Sequence, residues 1–361
     1  MVLDHGAGKT RALSILLTVD PEIPVPPNGY GGIERIVAML ERRLVEKGHE
    51  VLLLAHPDSK PAGRLIPYFG RTSRSRIDTF LHMRQVWQAY HDYRPDVVHS
   101  FGRLAYLLPI LPSPLLKVQS YQRAVSRWSV VWGRRLSRGM LLFTACSADC
   151  AATAGDGGEW HPIFNGAPED LFTPTETVPP DAPLVFLGRL ERIKGPHTAI
   201  RVARASGRKL VLAGNVPSLP GAQAFFDQEI APHLDGQRIT YVGPVNDEQK
   251  NRLLGQAAAL LMPIEWREPF GIVMAEALAC GTPVIGFPLG AVPEVVRDGV
   301  NGFLCSNVDE MVQAVGKIGT LSRAACRRDF EERFSDRVLV EQYEALYREG
   351  LKKISRRLSR G

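Results

Sequence analysis

Glu268 and Glu276 flank seven residues, and those seven begin Pro269-Phe270-Gly271 before turning into an apolar run. The run reads as a helix that carries the second acid and stops at Gly281, ahead of Thr282-Pro283 and a buried-strand pattern at 284–287. A helix opened by glycine presents free backbone N–H groups and the positive end of its dipole to an anion. A carboxylate just before that start, and another about one turn inside it, can accept hydrogen bonds from hydroxyls on either side of the anion. A diphosphate held between hydroxyl-bearing groups is the chemistry of a nucleoside-diphosphate sugar. The alternative is a plain helix–strand unit with its acids in solvent.

A second pair of residues suits the same anion. Arg189 and Lys194 stand five positions apart in Gly188-Arg189-Leu190-Glu191-Arg192-Ile193-Lys194-Gly195, directly after a strand pattern at 184–188. Ligands of open α/β sheets bind beyond strand carboxyl ends. An Arg fork and a Lys point charge across one loop can clamp a diphosphate. Arg192 between them reads as a solvated bystander. Gly31-Gly32 closes the first strand-to-helix loop, where missing side chains let a backbone approach a phosphate or sugar. Alone, such a pair is more often an ordinary turn.

These residues need elements to hold them. The N-terminal half alternates strands at 13–19, 49–55, 96–99, 115–120 and 141–145 with helices at 32–47, 77–93 and up to 137. Five prolines (Pro168, Pro174, Pro179, Pro180 and Pro183) mark 165–183 as an interdomain linker. The alternation then restarts, with strands at 184–188, 210–214, 239–243, 258–263 and 284–287 and helices at 196–206 and 248–256. Strands alternating with helices predict parallel sheets covered on both faces. A last amphipathic helix spans 334–350.

Length and composition agree with two domains. The chain has 361 residues, 45% hydrophobic and 23% charged, ordinary for a soluble globular protein. No apolar run approaches the ~20 residues that cross a bilayer, and 13–19 reads as a first strand, not a signal peptide. The five cysteines (Cys146, Cys150, Cys280, Cys305 and Cys326) include no CxxC pair and read as reduced thiols. Charge is uneven: residues 60–140 hold 14 Lys/Arg against 3 Asp/Glu, and 348–361 hold 6 against 1, within a net charge of +6. In the tail, Leu351, Ile354 and Leu358 recur at helical spacing among Lys352, Lys353, Arg356 and Arg357. Such a basic amphipathic end could rest on an anionic membrane, or be a solvated helix end. The basic surplus could equally attract an acidic acceptor. Nucleic acid is not expected as a partner. Gly6-Ala7-Gly8-Lys9-Thr10 imitates the end of a phosphate-binding loop but lacks its first glycine and its strand. Gly29-Tyr30-Gly31-Gly32 is no dinucleotide fingerprint, because Glu34 stands at the third glycine's place and no acid follows the second strand.

In this order, Gly31-Gly32, Gly188 to Gly195 and Glu268 to Glu276 resemble the motifs of retaining GT-B glycosyltransferases of family 4, over nearly the whole chain. The resemblance implies an α/β GT-B fold: two facing Rossmann-like domains with a C-terminal helix crossing back to the first. It would divide the chain into an acceptor-side domain at 1–175, a donor domain at 176–334 and a crossing helix with basic tail at 335–361. It assigns Glu268 to the donor sugar and reacting centre, Arg189 and Lys194 to the diphosphate, and Glu276 to the ribose hydroxyls. The backbone at Phe270 and Gly271 would bind sugar hydroxyls or phosphate, Gly31 and Gly32 would oppose the diphosphate, and Gly243 and Val245 would bracket the base. His99 would end the strand nearest the acceptor. One landmark is altered: the family's Thr-x-His reads Ser120-Tyr121-Gln122 here, and Gln122 can donate a hydrogen bond but cannot act as acid or base.

The activity implied is transfer of a hexose-type sugar from a nucleoside-diphosphate sugar, UDP-sugar favoured, to an unknown acceptor. It would proceed with retention, without a cofactor and without a metal, the chain having no Asp-x-Asp pair. The setting would be cytoplasmic, with peripheral contact at the inner membrane face. A sugar-nucleotide hydrolase or epimerase, or a non-catalytic sugar-nucleotide binding protein, would share the fold and diphosphate site.

Overall fold

A computed structural model describes residues 11–29 and 31–359. The phosphate-loop imitation at 6–10, Tyr30 and the Leu358 side chain lie outside the described residues. The chain runs β1 (Ser14–Thr18), α1 (Gly32–Glu46), β2 (Glu50–Ala55), β3 (Arg64–Pro67), α2 (Arg76–Tyr93), β4 (Val97–Ser100), a 3-10 helix (Leu104–Ile110), β5 (Leu116–Tyr121), α3 (Arg127–Leu136), β6 (Leu141–Ala145), α4 (Ala148–Ala152) and β7 (Trp160–Pro162). It continues with β8 (Leu184–Leu187), α5 (Pro196–Ser206), β9 (Leu210–Ala213), α6 (Ala222–Glu229), β10 (Ile239–Tyr241), α7 (Asp247–Gly255), β11 (Ala259–Met262), α8 (Ile272–Ala279), β12 (Val284–Gly286), α9 (Val292–Val295), β13 (Gly302–Leu304), α10 (Val308–Lys317), α11 (Arg323–Arg333) and α12 (Asp336–Leu358).

The strands form a seven-stranded sheet in the order β3-β2-β1-β4-β5-β6-β7 and a six-stranded sheet in the order β10-β9-β8-β11-β12-β13. The β1–β2, β1–β4 and β8–β11 pairs are parallel, with Leu16 opposite Leu52 and Val98, and Leu184 opposite Ala259. Strands covered on both faces become continuous apolar runs, and β11 is buried at every position. Each sheet reverses direction once, at β1/β4 and at β8/β11. Crevices at such switch points are where open α/β sheets bind ligands.

The chain divides into two compact units. The first comprises residues up to Ser120, Val131–Phe143 and Glu344 onward; the second comprises Tyr121–Val130 and Thr144–Tyr343. The expected boundaries at 175/176 and 334/335 are a different cut, and the proline-rich segment 165–183 falls wholly inside the second unit. It is tied down there: the Ala167 N–H donates to the Phe334 carbonyl at 2.9 Å, the Thr175 N–H donates to the Cys280 carbonyl at 3.0 Å, and Phe172 is buried. Prolines read as a linker therefore mark an extended segment bound to its own unit.

α12 starts in the second unit, and from Glu344 on it belongs to the first. There it covers one face of the sheet. A Cβ at Gly350 would stand 2.8 Å from the Leu116 side-chain end and 3.1 Å from that of Leu142, so the helix backbone lies close on the sheet here. The helix continues eight residues beyond the expected end at 350 and takes up most of the basic tail. Ile354 is buried and Leu351 half-buried, so these two positions of the expected stripe pack on the protein. The five cysteines are free and buried. Burial pushes the Cys280 and Cys326 thiols up to about 12 and Cys305 to about 11, which keeps them protonated and inert.

Candidate functional site

The second unit assembles the site at its switch point. The loop after β8 carries Arg189 and Lys194, and the loop after the neighbouring β11 carries Glu268. A backbone bond stitches the loops together, the Glu265 N–H donating to the Ile193 carbonyl at 2.8 Å. Side chains then converge. The Lys194 ammonium meets the Glu268 carboxylate at 2.5 Å, and the Trp266 indole N–H donates to the same oxygen at 2.9 Å. The ammonium also stands over the Trp266 ring, 4.6 Å from its centroid. Arg189 pairs with Glu191 at 2.6 Å. Glu268 is buried, and a buried carboxylate needs such partners.

The backbone at Glu268 is fixed as firmly as its side chain. Its carbonyl accepts from the Ala291 N–H at 2.8 Å. Gly290 lies against it at φ +62°, and a Cβ there would be 2.3 Å from both the N and the O of Glu268. One residue on, the Pro269 carbonyl accepts from the Ser147 hydroxyl at 2.6 Å and the Cys146 thiol at 3.3 Å. Ser147 also accepts the Cys150 N–H, capping α4.

α8 supplies the third part. Gly271, at φ +78°, is its N-cap, with no side-chain cap on the first N–H groups. Phe270 turns its ring into the core against Phe164 and Phe334, so only its backbone is available to a ligand. Glu276 sits inside α8, buried, with the Lys250 ammonium at 2.6 Å; Lys250 also reaches Asp247 at 3.4 Å. The loop after β10, expected to bracket a base, is close by in the sheet. The Gly214 N–H donates to the Gly243 carbonyl at 2.9 Å, and Gly214 presses on Gly188 so tightly that a Cβ would meet the Gly188 carbonyl at 1.9 Å. Val245 is half-buried just ahead of α7. The structure thus gathers Arg189, Lys194, Glu268, Glu276, Gly271 and Gly243 on one sheet edge.

The remaining expected residues fare differently. Gly31 is the N-cap of α1 in the first unit, again without a side-chain cap. The loop it closes is acidic: burial first, then the charges of Asp20 and Glu22, raise the Glu34 carboxyl. Any anion held by Gly31 and Gly32 would rely on backbone N–H groups alone. His99, expected at the acceptor side, is instead fully buried. Its ring nitrogens lie 2.6 Å from Tyr347 Oη and 2.6 Å from Ser120 Oγ, and burial lowers its pKa to about 3. It is a neutral core histidine that joins β4 and β5 to α12. Gln122 accepts from Asn165 Nδ2 at 2.7 Å within the second unit.

Three residues escaped the sequence reading: Trp266, Lys250 and Ser147. Lys250 and Ser147 make their contacts across the fold, and a lone Trp carries no spacing signal even two residues before Glu268. Lys250 could have been suspected, because a buried acid in an apolar helix needs a cation from another element.

Residues 171–333 match the model of glycosyl transferases group 1, and residues 30–166 match the model of Glycosyltransferase Family 4. The D-inositol 3-phosphate glycosyltransferase of Mycobacterium marinum is 32% identical over 141 residues, 38% of this chain and 30% of that protein. The Mycolicibacterium paratuberculosis protein of the same name is 33% identical over 158 residues, 41% and 36% respectively. The matched stretch thus spans about a third of the length of these relatives. AviGT4, a glycosyltransferase involved in avilamycin A biosynthesis, superposes with a TM-score of 0.70 at 26% identity, covering 94% of this chain and 98% of its own. Anabaena HepE, solved with UDP, superposes with a TM-score of 0.72 at 18% identity, covering 93% and 100%. The fold is GT-B, with two Rossmann-like halves.

Proposed function

We propose that this chain, which belongs to the glycosyl transferases of group 1, moves a sugar from a nucleoside-diphosphate sugar to an acceptor hydroxyl. The observation that carries the reading is the Lys194–Glu268 pair at the β8/β11 switch point, 2.5 Å apart, beside the uncapped start of α8. A diphosphate there would take Arg189, Lys194 and the α8 N–H groups, while Glu276 would accept the ribose hydroxyls. UDP is the favoured nucleotide, which fits the UDP and UDP-glucose bound by Anabaena HepE.

The reaction breaks the bond from the anomeric carbon to the phosphate oxygen and forms one to the acceptor oxygen. Arg189 and Lys194 stabilise the charge left on the diphosphate. The acceptor proton passes to a diphosphate oxygen on the same face, giving retention of configuration. The burial of His99 fits this assignment, since it leaves no histidine base at that strand end. Metal independence rests on the absence of an Asp-x-Asp pair. No helix among the described residues is long and apolar enough to cross a membrane. The reading is a cytoplasmic enzyme with peripheral contact at an anionic membrane.

Lys194→Ala and Glu276→Ala test the site by donor turnover against an acceptor panel. A loss of about 100-fold or more is expected for Lys194→Ala; parental turnover in both variants would refute the assignment. Free sugar released without acceptor would identify a hydrolase, and binding without turnover a sugar-nucleotide binding protein.

A further inference from the structure

One face of the first unit leaves large apolar side chains outside. α2 buries Val86 and Ala89 together with the polar His82 and Gln85, and exposes Ile77 (73%), Phe80 (64%) and Trp87 (46%). Gln85 is fully used inside, accepting from the Phe69 N–H at 2.8 Å and donating to the Pro67 carbonyl at 2.9 Å. α3 turns Gly133 inward and exposes Trp132 (52%) and Leu136 (43%). Of the thirteen exposed large apolar side chains among the described residues, seven lie in the first unit between Phe69 and Leu136. Residues 60–140 also hold the surplus of 14 Lys/Arg over 3 Asp/Glu. Isolated exposed apolar residues need no explanation, but concentration on one layer does.

The topology makes it one layer. The connections β3→β4, β4→β5 and β5→β6 carry the chain along the sheet in the sense opposite to, or past, β1→β2→β3. Right-handed crossovers then put α2, the 3-10 helix and α3 on the same face. Contacts agree: the His82 and Tyr106 rings are 5.0 Å apart, and a Cβ on Gly133 would stand 3.0 Å from Leu104. The middle element exposes Leu108. α12 covers the other face. Leu141 and Phe143 reach Gly133 of α3, whereas Leu142, between them, reaches Gly350 of α12. The two basic regions therefore flank opposite faces of the sheet, and among the described side chains of these two regions the exposed large apolar groups lie on the α2–α3 side.

We propose that the outer surface of α2, the 3-10 helix and α3 in the first unit is a docking face for an anionic lipid bilayer. Phe80, Trp87 and Trp132 would enter the interfacial region, while Arg84, Arg134 and Arg135 meet the head groups. The Arg135 guanidinium already lies 5.6 Å from the Trp132 ring centroid, a pairing suited to that boundary. Charge selects this occupant over a second copy, because two such basic surfaces repel. The exposed aromatic and aliphatic groups select it over an anionic polysaccharide, which offers charge but no apolar phase. The inference deepens the membrane reading above and is independent of the donor chemistry.

Flotation of the full chain with phosphatidylglycerol-containing vesicles, against pure phosphatidylcholine vesicles, tests it. The parent is expected to float with the anionic vesicles only. Phe80→Ser/Trp132→Ser and, separately, Arg134→Gln/Arg135→Gln are each expected to reduce recovery about tenfold or more. Lys352→Gln/Lys353→Gln/Arg356→Gln, which neutralises exposed tail residues and leaves Ile354 in place, should float like the parent. Circular dichroism and the UDP-induced rise in melting temperature, unchanged in both double variants, separate loss of docking from loss of fold or of the donor site. Equal recovery on neutral vesicles, parental flotation of the Phe80/Trp132 variant, or loss of flotation only in the tail variant would overturn the proposal. So would concentration-dependent dimers, or dextran sulfate binding without vesicle binding, abolished by the same substitutions.

Discussion

Trp266 is the side chain with the clearest unassigned role at the donor site. Its N–H and the Lys194 ammonium share one oxygen of Glu268, and its ring underlies the ammonium. Trp266→Phe keeps a ring and removes the N–H. The expected result is a fall of about tenfold in kcat/KM for the donor, with melting temperature near the parent's, since a hydrogen bond to a charged group is worth about 1.5–3 kcal/mol. Parental kinetics would remove Trp266 from the positioning of Glu268. His99 gives a separate prediction. Its folded pKa of about 3 lies below the unfolded value near 6.5, so between those values the unfolded chain binds more protons. Its stabilising contribution is complete above pH 6.5 and is lost as pH falls toward 3, at up to about 1.4 kcal/mol per pH unit. Urea midpoints at pH 7, 6 and 5 should fall less steeply in His99→Gln; parallel profiles would contradict the burial argument.

At the scale of elements, the candidate site depends on loops bonded to one another. The β8 loop, α4 and the turn before α9 all hold the β11 loop between Glu265 and Pro269. Gly290→Ala tests this bracing. With positive φ and a Cβ 2.3 Å from the Glu268 backbone, the substitution should cost about 1–3 kcal/mol. Donor affinity should fall with stability, because the displaced residue is Glu268. Calorimetric melting with and without UDP measures both, and an alanine variant with the parent's stability and UDP response would show that the loop yields freely. α8 makes the same point through its buried acid: Lys250→Ala leaves Glu276 buried without its cation, a change expected to cost about 3–5 kcal/mol, read as a fall in urea midpoint.

For the whole molecule, α12 decides whether the first unit is complete. From Glu344 onward it supplies Leu346, Tyr347 and Ile354 to that unit's interior, and Tyr347 satisfies His99. A chain stopped after Tyr343 should lose the cooperative melting of the first unit. UDP should still raise the melting of the second, by an amount equivalent to about 2.7 kcal/mol at a hundredfold excess over Kd. A first unit of unchanged stability would show that α12 is an accessory.

The residues of the candidate site were largely legible from local spacing. Glu268, Gly271 and Glu276 are tied to one turn and one helix, and Arg189 and Lys194 to one loop, so neighbouring positions in sequence fix their relation. The alternation of strands and helices likewise follows from short-range periodicity. What spacing could not reveal was set by contacts between distant positions. Lys194 became the partner of Glu268 only once β11 lay beside β8, and Lys250 that of Glu276 only once α7 lay beside α8. His99 changed from a possible acceptor-side group to a neutral core residue because Tyr347, 248 positions away, closes over it. The prolines at 165–183 suggested a linker, yet their segment is hydrogen-bonded to the second unit. The basic tail looked amphipathic, but α12 turns Ile354 inward, and the exposed apolar groups instead gather on α2 and α3. Sequence determined the local chemistry because backbone geometry acts over a few residues. Tertiary structure decided which charges are paired and which apolar faces remain uncovered, since burial depends on what the rest of the chain brings alongside.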